Sequence, residues 1–147
     1  MYQKTLAGIN KIEFLPSKEL VLFPKKIIKW GESTSAIGDW QLLEMVELAS
    51  CHTTSEQTDA GLVFSTKIAG VLYDEDDGVL QSRLQSFYNV YRISDVYKNQ
   101  YLIGTDKKPF PEINFAPANE ANPSGLRAVN FEISWVSLLP PIPLVQL

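Results

Sequence analysis

The stretch Leu126-Arg-Ala-Val-Asn-Phe-Glu-Ile-Ser-Trp-Val136 decides the fold class of this chain. Val129, Phe131, Ile133 and Trp135 alternate with Ala128, Asn130, Glu132 and Ser134. Side chains on a strand point to opposite faces in turn, so this order makes one apolar face and one small or polar face. A strand of that kind covers a core on one side and meets water on the other, as antiparallel sheets do.

Working outward, most of the chain has the same character. Gly8-Ile-Asn-Lys-Ile-Glu-Phe14 is β-rich and ends at Pro16, and Lys26-Ile-Ile-Lys-Trp30 ends at Gly31. Leu62 to Tyr73 forms a long strand in which Gly70 is a candidate bulge. Tyr88, Val90 and Arg92 alternate with Asn89, Tyr91 and Ile93, and Asp95 to Asn99 turns the chain into a second arm, Gln100 to Gly104. Trp40 to Leu48 reads as strand, with a helix capped by Asp39 as the alternative. Ser50 to Gly61, polar and without an apolar period, is expected to be a loop. Pro109, Pro111, Pro117 and Pro123 break residues 109–123 into a long ordered loop with a short edge strand at Ile113 to Phe115.

One helix is expected, at Asp77–Phe87. Asp76 and Asp77 suit a helix N-terminus, and Leu80, Leu84 and Phe87 fall on one face. About three turns of helix are marginal alone, so it must pack on a sheet. The expected fold is therefore α+β and mostly β: an antiparallel β-sandwich or half-open barrel with one short helix packed on it. Residues 1–137 form a single β-rich domain. Residues 138–147, Leu-Leu-Pro-Pro-Ile-Pro-Leu-Val-Gln-Leu, form an extended Pro-rich C-terminal arm.

Composition narrows the function classes. The chain has 147 residues, one ordinary domain's worth, with 45% hydrophobic and 20% charged residues, so disorder does not describe it. Thirteen basic and seventeen acidic residues give a net charge of −4, a poor match to a nucleic-acid phosphate surface. Charge is also divided along the chain. Residues 1–30 carry six lysines against Glu13 and Glu19, a balance of +4, and the remainder is −8. That split is either ordinary solvation or a basic surface that meets an acidic surface on a neighbouring copy.

No constellation for chemistry stands out. Cys51 and His52 are the only cysteine and histidine, and adjacent side chains rarely aim at each other as a nucleophile and its base must. Asp74-Glu-Asp-Asp-Gly78 resembles a calcium loop, but matching Gly78 to that loop's glycine places Tyr73 and Leu84 at ligand positions. The eight glycines are isolated from one another, so no phosphate-binding loop forms. No catalytic, metal or cofactor residue is assigned, and the chain is expected not to be an enzyme. The candidate interface residues are Lys25, Lys26, Lys29, Leu138, Leu139, Ile142, Leu144 and Val145. The arm also carries a Pro140 to Pro143 spacing that fits a groove for PxxP ligands.

Ala7-Gly-Ile-Asn-Lys-Ile-Glu-Phe-Leu15, and the layout from Gly61 to Trp135 of long strand, short helix, hairpin, proline-broken loop and final strand, resemble a known group. They are similar to small β-rich virion structural proteins of tailed bacteriophages and prophages, particularly those of Bacteroidota hosts. The resemblance implies a tail, tail-tube or connector subunit that acts by homo-oligomeric packing. Its partners would be copies of itself and other virion proteins, with no sequence-specific nucleic acid, membrane or small-molecule substrate. Such a chain would be made in the host cytoplasm without a signal peptide and end in the virion. The alternative is a carbohydrate- or surface-binding β-sandwich module that uses Trp30, Trp40 or the tyrosines around residues 88–101.

Overall fold

The structure, a computed structural model, describes residues 3–6, 8–23, 32–74, 78–117 and 128–145. Its strands are β1 (Gln3–Thr5), β2 (Ile9–Pro16), β3 (Val21–Phe23), β4 (Ser35–Ile37), β5 (Gln41–Leu43), β6 (Ser50–Thr58) and β7 (Gly61–Tyr73). After helix α1 (Val79–Ser86) come β8 (Asn89–Asp95), β9 (Gln100–Ile103), β10 (Glu112–Pro117), β11 (Ala128–Ser137) and β12 (Ile142–Pro143). Two five-stranded antiparallel sheets pack as a sandwich, ordered β1-β6-β7-β11-β10 and β12-β9-β8-β2-β5, and β3 pairs with β4 in a separate ribbon.

The inner face of the first sheet follows from the alternation in β11. Val129, Ile133 and Trp135 face Leu72, Ile68 and Thr66 of β7 in register, and all six are buried. Burying side chains of this size contributes about 1.5–3 kcal/mol each. The Trp135 indole N–H donates to the Pro109 carbonyl at 3.1 Å, which satisfies its one polar atom. Gly70 is not a bulge, because the β7–β11 register runs through it without a shift. A Cβ there would lie 2.9 Å from Phe131 Cε1 and 3.0 Å from Ala49 Cβ, so glycine admits the phenyl ring. The one register shift in the β2–β8 ladder lies between Ile9 and Lys11.

Two segments turn corners from one sheet to the other. Leu6 donates to the Cys51 carbonyl and Ile9 to the Ala49 carbonyl as β1 gives way to β2. Beyond β5, Val46 donates to the Val71 carbonyl and receives the chain back into the first sheet. The Trp40 to Leu48 stretch is thus a short strand and a corner, and the helical alternative is set aside.

Ser50 to Thr58 is a nine-residue strand, where a loop was expected. Its inward side chains, Cys51, Thr53 and Ser55, are buried, and Thr53 and Thr66 share a hydroxyl hydrogen bond at 3.1 Å. Serine and threonine occupy the inner row there, so an apolar count sees no period. The helix ends at Ser86 and not at Phe87, which is extended (φ −131°) and 60% exposed. Asn89 causes the stop: its side-chain amide donates to the Leu84 and Phe87 carbonyls, both at 3.1 Å. Leu84 is buried, and Gln85 reaches the Ile113 carbonyl of β10. Asp76 and Asp77 lie outside the described residues, as does Lys26 to Trp30.

The β8–β9 hairpin forms where expected. Asp95 holds its turn, accepting from the Tyr97 and Asn99 amides at 2.9 Å each, while Lys98 takes a positive φ of 68°. Register separates the two faces of this second sheet. Glu13, Leu15 and Arg92 share one face, and Ile12, Phe14, Tyr91 and Ile93 share the other. Leu15 packs under Gly38 and Arg92 lies 4.8 Å from the Trp40 ring, so the segment after β4 covers the Glu13 face. The Ile12 face therefore turns to the first sheet, and the β3–β4 ribbon belongs to the opposite, outer side of the second.

Candidate functional site

The surface that sequence reasoning missed is the β3–β4 ribbon. Val21 pairs with Ile37, Leu22 with Ala36 and Phe23 with Ser35. Leu22 and Ala36 pack against the core, while Val21, Phe23 and Ile37 point outward at 52%, 57% and 46% exposure. A two-stranded ribbon with apolar groups on both faces has covered only one of them. The available signal was the unbroken apolar run Leu20-Val-Leu-Phe23, which lacks the polar alternation of a half-buried strand.

The ribbon is fixed by the C-terminal arm. Val145 donates to the Thr34 carbonyl at 2.8 Å, the Ser35 hydroxyl donates to the Val145 carbonyl at 2.7 Å, and Leu144 donates to the Gln100 carbonyl at 2.9 Å. Ile142, opposite Leu102 of β9, is 2% exposed and belongs to the core of its own chain. The arm's middle therefore lies on its own domain rather than reaching out, because β9 has a free edge that accepts it and Pro143, without an N–H, suits an edge position. Leu139 and Leu144 pack partly against the core, and Leu138 and Val145 are exposed at 62% and 53%. Lys25, Lys26 and Lys29 lie outside the described residues.

A second surface lies on the outward face of the first sheet. It is a shallow groove of about 630 Å³ from the corner at Glu47 and Leu48, across Ala69, to Asn130, Glu132 and Ala116. Ala69 and Val71 of β7, Asn130 and Glu132 of β11, and Asn114 and Ala116 of β10 supply its outward positions. Glu47 and Glu132 are exposed carboxylates on its rim, and no lysine or arginine lines it.

Cys51 and His52 point to opposite faces of β6. The thiol is buried, and burial pushes its pKa up to about 12. His52 is exposed, with Nδ1 2.8 Å from the Thr5 hydroxyl on β1. The two cannot exchange a proton directly. Among the described residues, no group of three or more His, Cys, Asp or Glu is placed to hold a metal ion. No helix among them is long and apolar enough to cross a membrane.

Among the described residues, the aromatic side chains do not converge on one platform. Tyr91 and Trp135 are core, while Tyr97 lies in the β8–β9 turn, at the far end of β8 from Tyr88. Tyr88 stacks on Phe110 with ring centroids 4.9 Å apart. Trp40 covers the Arg92 guanidinium, which makes a bidentate ion pair with Glu13 at 2.9 and 2.8 Å. Trp30 is outside the described residues. In comparisons with known proteins, no family model, no curated protein and no solved structure matches this chain.

Proposed function

We propose that this chain is a structural subunit that works by packing against further copies of itself, in a tail, tail-tube or connector assembly of a phage-like particle. The outward apolar face of the β3–β4 ribbon carries this reading: Val21, Phe23 and Ile37 stand together in water on a short ribbon. Contiguous exposed apolar surface marks an interaction site, since covering it recovers the free energy that a lone copy forgoes. Exposed Val145, tied by backbone to the start of β4, adds to the same region. The virion assignment rests on the sequence resemblance, and the ribbon supports the broader claim of assembly.

Sedimentation velocity of the full chain over a range of concentrations tests it. A weight-average mass that climbs with concentration is expected, and Phe23→Ser is expected to lower it without changing the circular dichroism spectrum. A monomer at every concentration would overturn the reading. Mass spectrometry of purified particles from a producing culture tests the virion assignment separately, and the absence of this chain's peptides would remove it.

A further inference from the structure

We propose that the end of the C-terminal arm, residues 143–145, is a latch for the β3–β4 ribbon. Arm end and ribbon open and close as one unit, apart from the sandwich, and the arm thereby controls whether Val21, Phe23 and Ile37 stand as a surface. That control bears on association only through the assembly reading above. Three observations carry the latch.

The first is the wiring of Thr34 and Ser35, which are 2% and 6% exposed. Thr34 pairs with Leu144 in parallel: its amide donates to the Pro143 carbonyl at 3.1 Å, and its carbonyl accepts from the Val145 amide at 2.8 Å. The Ser35 hydroxyl donates to the Val145 carbonyl at 2.7 Å, and the Thr34 hydroxyl donates across the ribbon to the Phe23 carbonyl at 3.2 Å. When the arm leaves, the Thr34 amide, the Thr34 carbonyl and the Ser35 hydroxyl lose their partners together. A polar group left buried without a partner costs its full desolvation, so the ribbon must then move into water as well.

The second is that the arm end has a neighbour on each side. Leu144 donates to the Gln100 carbonyl of β9 at 2.9 Å, while Pro143 and Val145 turn their backbone groups to Thr34. The arm end is therefore a backbone bridge from the second sheet to the ribbon. The third is size. β3 and β4 have three residues each and β12 two, and Val21, Phe23, Ile37 and Val145 are exposed, whereas β7 has thirteen residues and β11 ten. Short ladders with little buried apolar surface open at lower free energy than a core. Ile142, buried opposite Leu102, anchors the arm just before the latch. Coupling of this kind is reciprocal, so a copy that covers the ribbon also tightens the arm.

Hydrogen exchange of the full chain in dilute solution, read by mass spectrometry, tests the latch. Val145→Pro removes the amide that the Thr34 carbonyl accepts from, and is expected to speed exchange of residues 20–23 and 34–37 about tenfold while β7 and β11 keep their protection. Tyr101→Cys with Pro143→Cys places thiols at opposite positions of β9 and β12. Oxidised, this staple is expected to slow the same amides about tenfold, and reduction should reverse the effect. Ribbon exchange that ignores either change, or protection lost from β7 and β11 together with the ribbon, would overturn the latch. By sedimentation, Val145→Pro is expected to weaken self-association about tenfold, and native association in a variant with an open ribbon would overturn the arm's control of assembly. If exchange responds as stated but the native chain never associates, the latch stands and the assembly reading falls.

Discussion

β11 and β6 flank the same central strand, β7, with β6 paired over Gly61–Ala69 and β11 over Phe64–Tyr73, yet they are built from different chemistry. β11 buries Val129, Phe131, Ile133 and Trp135; β6 buries Cys51, Thr53 and Ser55. At Thr66 the two meet across β7, with Trp135 on one side and Thr53 on the other. The inner face of the sheet thus grades from aromatic and branched apolar groups on the β11 side to small hydroxyl and thiol groups on the β6 side. A strand is admitted to a core by alternation and by satisfied polar atoms, and high hydrophobicity is only the commonest way to meet those conditions.

The largest expected effect lies on the β11 side. Trp135→Ala empties a fully buried site and strands the Pro109 carbonyl, and urea denaturation is expected to show a loss of about 3–5 kcal/mol. A loss under 1 kcal/mol would mean that β11 does not anchor the core.

The β6 side should respond to pairing rather than to volume. Thr53→Val removes one member of the buried hydroxyl pair and is expected to cost about 1–3 kcal/mol, because the Thr66 hydroxyl loses its partner. The double replacement of Thr53 and Thr66 by valine should recover most of that loss, since both polar atoms are gone. A double variant as weak as the sum of the two single ones would remove the hydroxyl pair from this account.

The alkaline response of Cys51 differs in kind, because it is read as a dependence on pH. In the unfolded chain a thiol ionises near pH ~8.5, whereas burial raises the folded value to about 12. The unfolded state releases its proton first, so this contribution to stability is complete below the unfolded value and is lost as pH rises toward the folded one. Cys51→Ala is expected to flatten the stability curve between those limits. The native thiol should also resist an aromatic disulfide reagent until the chain unfolds, and rapid labelling of the folded protein would contradict the inward placement of Cys51. The smallest effect belongs to the outward face of the same strand. His52→Ala, which removes one exposed contact to Thr5, should change stability by about 0.5 kcal/mol or less.

Legibility followed the same gradient. The apolar rows of β7 and β11, the turn at Asp95 and the edge strand β10 could be placed from local order, because their residues alternate or punctuate in the usual way. Ser50 to Thr58 could not, because its inward groups are chemically like those of a loop. Gly70 suggested a bulge for a sound local reason, but the ring of Phe131, sixty-one positions away in sequence, explains it. The candidate surfaces divide similarly. The asymmetry of charge was visible in the residue order, whereas the exposed face of the ribbon depended on which side of Val21-Leu-Phe23 met the core.

Residue order alone settled the class of this protein: a mostly β chain with one short helix and with lysines gathered near its start. Period-two alternation and turn chemistry act over a few neighbouring residues, so they are written locally. Tertiary structure decided that β6 is a strand, that Ile142 joins its own core opposite Leu102, and that ribbon and groove occupy opposite sides of the sandwich. Those outcomes depend on which distant strands share hydrogen bonds, and the gain from long-range pairing exists only once the sheets have closed on each other.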